Sequence, residues 1–239
     1  MKILGIFDNE TSEEDLVAGW GFSALISSSE RALLFDAGSD VKILEENMEE
    51  LGVIPGDLDG IFLSHPHCDH VGGLSAVLSQ NSDLSVYVTK GFPQETKNKV
   101  RDYGAELVEI AGSEEIFEGW HSTGEMISDY HGSDLPEQGL TVEGDSGPVV
   151  ISGCAHPGIS KIVGRAKEIT GEPPRLVLGG FHLGSRSKGE IKAILKDFAG
   201  YGVRGVAPTH CTGEKAKAIM RVEYREDFVD FGVGEQIRV

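Results

Sequence analysis

Short apolar runs alternate with segments of helical spacing along the whole chain, the pattern of layered α/β structure. "KILGIF" opens as a strand, and "FSALIS" and "RALLFDAG" form a strand pair around the polar turn "SSSE". Val41, Leu44, Met48 and Leu51 then recur at helical spacing from about Ser39. "GIFLS", "LSVYVT" and "AELVEI" are further strands, with helices expected over Gly73 to Gln80 and Pro93 to Tyr103. Ser113 to Gln138 is rich in Gly, Ser, His and acid and has weak periodicity, so a long loop or an irregular hairpin is expected there. The alternation resumes with "GPVVISG", a helix over Ile159 to Thr170, and "RLVLGG". Ser187 with Glu190 predicts a capping box ahead of Ile191, Ile194, Leu195 and Phe198. "GVRGVAPTH" runs a strand into a loop, and the C-terminus alternates like an edge strand. Both halves follow one plan of strands and helices with no low-complexity linker, which predicts a single domain over residues 1–239 with two similar halves.

The chain is 239 residues long, enough to bury about three-quarters of its unfolded surface without disulfides. Its three cysteines, Cys68, Cys154 and Cys211, are far apart and odd in number. That argues against a disulfide framework and for a reducing compartment. The first apolar run is too short for a signal-peptide core and no segment approaches a membrane span, so a cytoplasmic protein is expected. A formal charge of −18 argues against nucleic acid and anionic membranes as partners, since both are bound through Lys and Arg. A small-molecule substrate is expected instead, and the sequence leaves homo-oligomerisation open.

One chemical pattern recurs. An apolar run ends in small or turn-forming residues and then a histidine: "GIFLSH" at His65, "VVISGCAH" at His156, "LVLGGFH" at His182 and "GVAPTH" at His210. Ligands of α/β folds gather beyond the carboxyl ends of strands, and "LLFDAG" adds Asp36 in the same context. A single histidine is ordinarily a surface or satisfied core residue, and His121 and His131 are read that way. Four in one context, beside the cluster "HPHCDH", would repel and lose solvation without a cation. Within the cluster His65 and His67, two apart, can meet one ion, while Asp69 and His70 can face a second. Pro66 stiffens the loop, and Gly72 and Gly73 allow a tight entry into the next helix.

His65-x-His67-x-Asp69-His70 followed by Gly-Gly, with His156 and His210 downstream, resembles the signature of the metallo-β-lactamase superfamily. The resemblance covers nearly the whole chain. It implies a four-layer αββα sandwich, an α/β fold, with His65, His67 and His156 on one divalent ion and Asp69, His70 and His210 on another. Zinc is the expected metal, with manganese or iron as alternatives. "LLFDAG", "STGEM", "LPEQGL", "ISGCAHPGI", "LGGFHL" and "PTHCTGE" are similar to a subgroup of metal-dependent hydrolases related to dihydropterin ribofuranosyl-aminobenzene phosphate synthase. Where most dinuclear members carry a bridging aspartate, this chain has Phe181-His182. An imidazole cannot bridge as a carboxylate does, so His182 is either a seventh ligand or a group that supports a ligand or touches substrate.

The resemblance implies a hydrolase that uses a metal-activated hydroxide on an ester, lactone or phosphoester, with Asp69 orienting it as the catalytic residue. Pterin-linked phosphoribosyl transfer is the alternative from the subgroup, and a non-catalytic metal or ligand sensor is the alternative of another class. Flavodiiron-type redox chemistry fits less well, because that group favours Glu where this chain has His67. Asp36 is expected to hydrogen-bond a ligand or loop. Thr123, within Ser122 to Glu125, and Glu137 with Gln138 are candidates for the substrate side, as is Arg186 with Lys188 for a phosphate. The three thiols are read mainly as small buried fillers.

Overall fold

The computed structural model describes all residues, Met1–Val239. They form two compact units, residues 1–111 with 232–239, and residues 112–231. The first unit contains β1 (Lys2–Phe7), β2 (Ser23–Ser27), β3 (Ala32–Phe35), α1 (Val41–Glu50), β4 (Gly60–Phe62), α2 (Cys68–Val71), α3 (Leu74–Leu78), β5 (Ser85–Thr89), α4 (Gln94–Asp102) and β6 (Glu106–Ile110). β1, β2 and β3 form an antiparallel meander, and β3, β4, β5 and β6 run parallel. The parallel strands require crossovers, which α1, α3 and α4 supply. The C-terminal strand Gln236–Arg238 pairs antiparallel with β1 at the sheet edge. Ile6, Leu34, Ile61, Val86 and Val88 of the sheet pack with Leu44 and Met48 of α1 and Leu74 and Val77 of α3 in one core.

The second unit contains β7 (Glu114–Phe117), β8 (Trp120–Ser122), β9 (Met126–Tyr130), β10 (Ser133–Glu137), β11 (Leu140–Val142), β12 (Val149–Ser152), α5 (Ile159–Thr170), β13 (Leu176–Gly180), α6 (Lys188–Tyr201), β14 (Gly205–Thr209) and α7 (Glu214–Tyr224). Its six-stranded sheet has the order β14, β13, β12, β11, β8, β7, and β9 with β10 is a separate hairpin. β12, β13 and β14 are parallel and buried throughout. Ile162, Val163 and Ala166 of α5, Ile191 and Phe198 of α6, and Ala216 and Met220 of α7 cover them. The capping box is present: Glu190 N–H donates to Ser187 Oγ at 3.3 Å and Ser187 N–H to Glu190 Oε2 at 2.8 Å. No helix is long and apolar enough to cross a membrane.

Three elements depart from the sequence expectation. Ser113 to Gln138, expected as a long loop or an irregular hairpin, is two hairpins, β7 with β8 and β9 with β10, turning at Gly119 and at His131-Gly132 with positive φ. No residue of β7 or β9 is buried, so they lack the apolar alternation that would announce them. The sequence predicts no helix over α7. It buries only Ala216 and Met220, four apart, among charged residues, so its apolar stripe is two positions wide. α2 is a single turn, shorter than any periodicity can register.

A buried asparagine fastens the first unit. Asn47 of α1 donates through Nδ2 to the carbonyls of Ile6 and Val17, both at 2.9 Å, and accepts from Val17 N–H at 2.8 Å. Asn47→Ala strands these backbone groups. It should cost about 2–4 kcal/mol in chemical denaturation, whereas an unchanged midpoint would show that water replaces the amide.

Candidate metal centre

In the first unit the site grows from two parallel strand ends. β3 and β4 are paired in register at Phe35 and Phe62, so the chain leaves both at one edge. Asp36 follows β3 in the left-handed region, φ 54°, with its N–H on the Phe62 carbonyl at 2.8 Å. Ser64 and His65 follow β4, and all three residues are fully buried, as is His70. His70 Nδ1–H donates to Asp36 Oδ2 at 2.7 Å. Ser64 N–H and Oγ–H donate to Oδ1 and Oδ2 of the same carboxylate, each at 2.7 Å. The serine proton is thereby spent, so at 2.9 Å from His65 Nδ1 its oxygen accepts. Both imidazoles are thus Nδ1–H tautomers with the lone pair on Nε2, the nitrogen that binds a cation. Burial pushes the Asp36 carboxyl up from its ordinary range, opposed by the nearby His70 and by the hydrogen bonds from Ser64.

His67 is extended and starts α2, accepting His70 N–H at 2.9 Å. The His65 ring centre lies 4.8 Å from that of His67 and 4.1 Å from that of His70, at interplanar angles of 78° and 50°. The rings therefore tilt about a common region and do not stack. Asp69 Oδ2 accepts from the indole N–H of Trp20 at 2.8 Å, and the Asp69 carbonyl accepts from Phe22 N–H at 3.1 Å. Gly72 and Gly73 do more than admit the next helix. A Cβ at either would lie 2.3 Å from the Ser39 carbonyl oxygen or 2.2 Å from that of Ala37. Their bareness lets the histidine loop dock on the turn after β3.

In the second unit three parallel neighbours, β12, β13 and β14, end together, with Ser152 opposite Gly179 and Gly180 opposite Thr209. The loops that leave them carry Cys154 and His156, then His182, then His210 and Cys211. Ala155, His182 and His210 have φ of 59°, 53° and 50°. Left-handed non-glycine residues cost about 1–3 kcal/mol each and gather at functional sites. Glu137, fully buried at the end of β10, accepts four hydrogen bonds. Cys154 N–H and Ala155 N–H reach Oε1 at 3.0 and 2.7 Å; His156 N–H and Nδ1–H reach Oε2 at 2.7 and 2.8 Å. Burial alone would raise this carboxyl, but the His156 contacts and the Cys154 N–H bring it below its ordinary range. As with His70, the carboxylate places the His156 lone pair on Nε2.

The His182 ring lies 4.6 Å from the His156 ring, and Tyr130 stands nearly perpendicular to His156 at 5.2 Å. Contact with Cys211 raises the His182 pKa against the cost of desolvation. Burial would raise the Cys211 thiol, but contacts to Cys154 and His182 and the charges of His210 and His182 hold it well below the usual thiol range. Thr212 braces these loops, its hydroxyl donating to the Thr209 carbonyl at 2.7 Å and accepting from Phe181 N–H at 3.1 Å. Beside His156 and His182 opens a cleft of about 530 Å³, lined also by Lys161, Arg186, Ile194 and Tyr201.

The remaining sequence candidates fall in varied places. Glu137 is buried against His156 and does not line the cleft. Thr123 is fully buried, and its hydroxyl accepts from Gly139 N–H at 2.8 Å. Gln138 is likewise buried, accepting from Ser122 Oγ–H at 2.7 Å. Arg186 is exposed and pairs with Glu190 at 3.0 Å. His121 lies 3.7 Å from Glu143, and His131 is exposed at the hairpin turn. Cys68 is exposed, which corrects its reading as a buried filler. Ser64, Trp20 and Tyr130 were not singled out in the sequence. Only Ser64, beside His65, carried a local signal; the other two meet their partners through folding.

Each unit thus presents imidazole Nε2 donors fixed from behind by a buried carboxylate, with Asp69 on one and two thiols on the other. This donor set fits a divalent cation. The chain matches the model of the metallo-β-lactamase superfamily over residues 19–187 and belongs to that superfamily. It is 27% identical to the 7,8-dihydropterin-6-methyl-4-(β-D-ribofuranosyl)-aminobenzene-5′-phosphate synthase of Methanocaldococcus jannaschii, over 87% of this chain and 84% of that one. The crystal structure of Tm1679, a metal-dependent hydrolase of the β-lactamase superfamily, superposes with a TM-score of 0.82 at 29% identity, covering 100% of this chain and 99% of that one. Human tRNase Z, short form, shares the fold, with a TM-score of 0.65 at 13% identity over 100% and 99% of the two chains.

The depressed pKa of Glu137 has a defined consequence for stability. A carboxyl that is more acidic folded than unfolded stabilises the fold above its unfolded value and loses that contribution as the pH falls through the folded one. Metal-free protein titrated with acid should therefore begin to lose this stability below its unfolded value, about 4.5. Glu137→Gln should be less stable at pH 7 and show a shallower acid slope. Equal stability of the two proteins at pH 7 would show that the carboxylate does not hold the His156 loop.

Proposed function

We propose that the protein is a metal-dependent hydrolase of a small-molecule ester, lactone or phosphoester. The observation that carries this reading is the pair of buried carboxylate–imidazole contacts, Asp36 with His70 and Glu137 with His156, which orient Nε2 lone pairs as cation ligands require. Membership of the superfamily supports it. The ligand assignment we propose is His65, His67 and His156 for one ion and Asp69, His70 and His210 for another, with zinc favoured by the imidazole-rich set. A divalent ion held by these residues would supply a water of lowered pKa and a positive charge for the oxygen under attack. Asp69, steadied by the Trp20 indole, orients the attacking water and accepts its proton. His65 and His70 are kept in their coordinating tautomers by the Ser64–Asp36 relay. Lys161 and Arg186 supply positive charge to the cleft beside His156, suited to an anionic substrate group.

A second reading, pterin-linked phosphoribosyl transfer, is favoured by the likeness to the methanogen synthase over most of both chains. It predicts turnover of 4-aminobenzoate-type acceptors with phosphoribosyl diphosphate, where the first predicts turnover with water alone.

Metal analysis of the purified protein, joined to a screen of esters, lactones and phosphodiesters, separates these readings. His67→Ala and Asp69→Ala should each lower turnover roughly 10²–10⁴-fold while leaving the circular dichroism spectrum intact. Undiminished turnover in both variants would end the hydrolase mechanism. Failure to bind zinc, manganese or iron would end the metal reading altogether.

A further inference from the structure

We infer that Cys154 and Cys211 are sulfur ligands, which with the imidazoles of His182 and His210 give the second unit a thiolate-bearing metal set. The inference rests on the metal-dependent reading above and adds sulfur to the donors proposed there on the second unit. Within the second unit, Cys154 is shared by two groups of donors. Its sulfur and the donor atoms of His210 and Cys211 lie within 4.8 Å of one another, and so do those of Cys154, His156 and His182. A tetrahedral ion with bonds of about 2.0–2.3 Å spaces its ligands roughly 3.5 Å apart, so small side-chain rotations close either group around a cation.

The surroundings of the Cys211 sulfur are not those of a packing residue. A filler cysteine sits among apolar side chains. Cys211 instead meets the Cys154 carbonyl oxygen at 3.8 Å and the His182 imidazole, and is flanked in sequence by His210. Space is kept for it. A Cβ at Gly180 would lie 2.7 Å from Cys211 Sγ and 2.2 Å from the Gly153 carbonyl oxygen, so only glycine at the end of β13 admits the sulfur there. The backbone supports the same arrangement: His182 and His210 both adopt left-handed φ immediately beyond adjacent parallel strands, which brings their loops to one edge of the sheet. Coordination replaces each S–H bond with a sulfur–metal bond and releases the proton to solvent; no oxidant is required.

The test uses the full chain loaded with zinc or cobalt(II) in the presence of a phosphine reductant. X-ray absorption at the zinc edge should show sulfur scatterers at about 2.3 Å beside nitrogen at about 2.0–2.1 Å. The cobalt form should show a near-ultraviolet sulfur-to-metal charge-transfer band. Cys154→Ser and Cys211→Ser should each weaken the band and the double variant should abolish it, while Cys68→Ser, altering an exposed thiol, should leave it unchanged. Metal bound through nitrogen and oxygen alone, with no sulfur in the wild-type spectrum, would overturn this inference and leave the hydrolase reading standing. A protein that bound neither metal would overturn both. Because the absorption spectrum is read on the unaltered chain, the result does not depend on a variant that folds.

Discussion

A buried carboxylate that accepts the Nδ1–H of an imidazole is the contact on which the chemistry of this fold depends. Ionised carboxylates are costly to bury unless nearly every lone pair is met. Asp36 meets this condition with Ser64 and His70; Glu137 meets it with three consecutive backbone N–H groups and His156. The difference shows in their acidity. Fixed backbone donors and the His156 contact outweigh burial at Glu137, while burial prevails at Asp36. In both cases the consequence is the same: the ring is locked in one tautomer and one orientation before any ligand arrives, so binding need not pay to organise it.

The same loops store conformational strain. Six non-glycine residues have left-handed φ, and Asp36, Ala155, His182 and His210 are four of them. Each follows a buried parallel strand or lies in the loop after it. Strand pairing fixes where the chain leaves the sheet, and the left-handed residue then turns it sharply at the strand edge. The compensation comes from hydrogen bonds at the turn, such as Asp36 N–H to Phe62 and the Thr212 bonds that brace the loops after β13 and β14. Glycines appear where backbone must approach closer than a Cβ permits, at Gly72 and Gly73 under the histidine loop and at Gly180 beside Cys211.

The family resemblance defines a set of nitrogen and oxygen donors, and the tertiary structure adds sulfur to the candidates. Cys154 and Cys211 are far apart in sequence and share an edge only because β12, β13 and β14 are parallel neighbours. His182 lies in the same group, next to Cys211 and His156. Soft sulfur donors therefore stand beside the imidazoles of this unit, and thiolates and imidazoles differ in the metals they favour.

Most strands and the larger helices were legible because burial imposes a period on the sequence. α5 spans Ile159–Thr170, the residues expected to be helical, and α6 begins at the capping box the sequence announced. The histidine cluster was legible because its ligand types lie within six residues. The ribbons between Ser113 and Gln138 and the helix α7 were not, since exposed strands and a two-residue apolar stripe carry too little periodicity. Glu137 could be named as a candidate, but its burial against His156 is a long-range contact between β10 and the loop after β12. The sequence by itself determined which residues have the chemistry to bind a metal. Only the tertiary structure decided which carboxylate orients which imidazole, and which thiols meet them, because strand order and not chain distance sets those contacts.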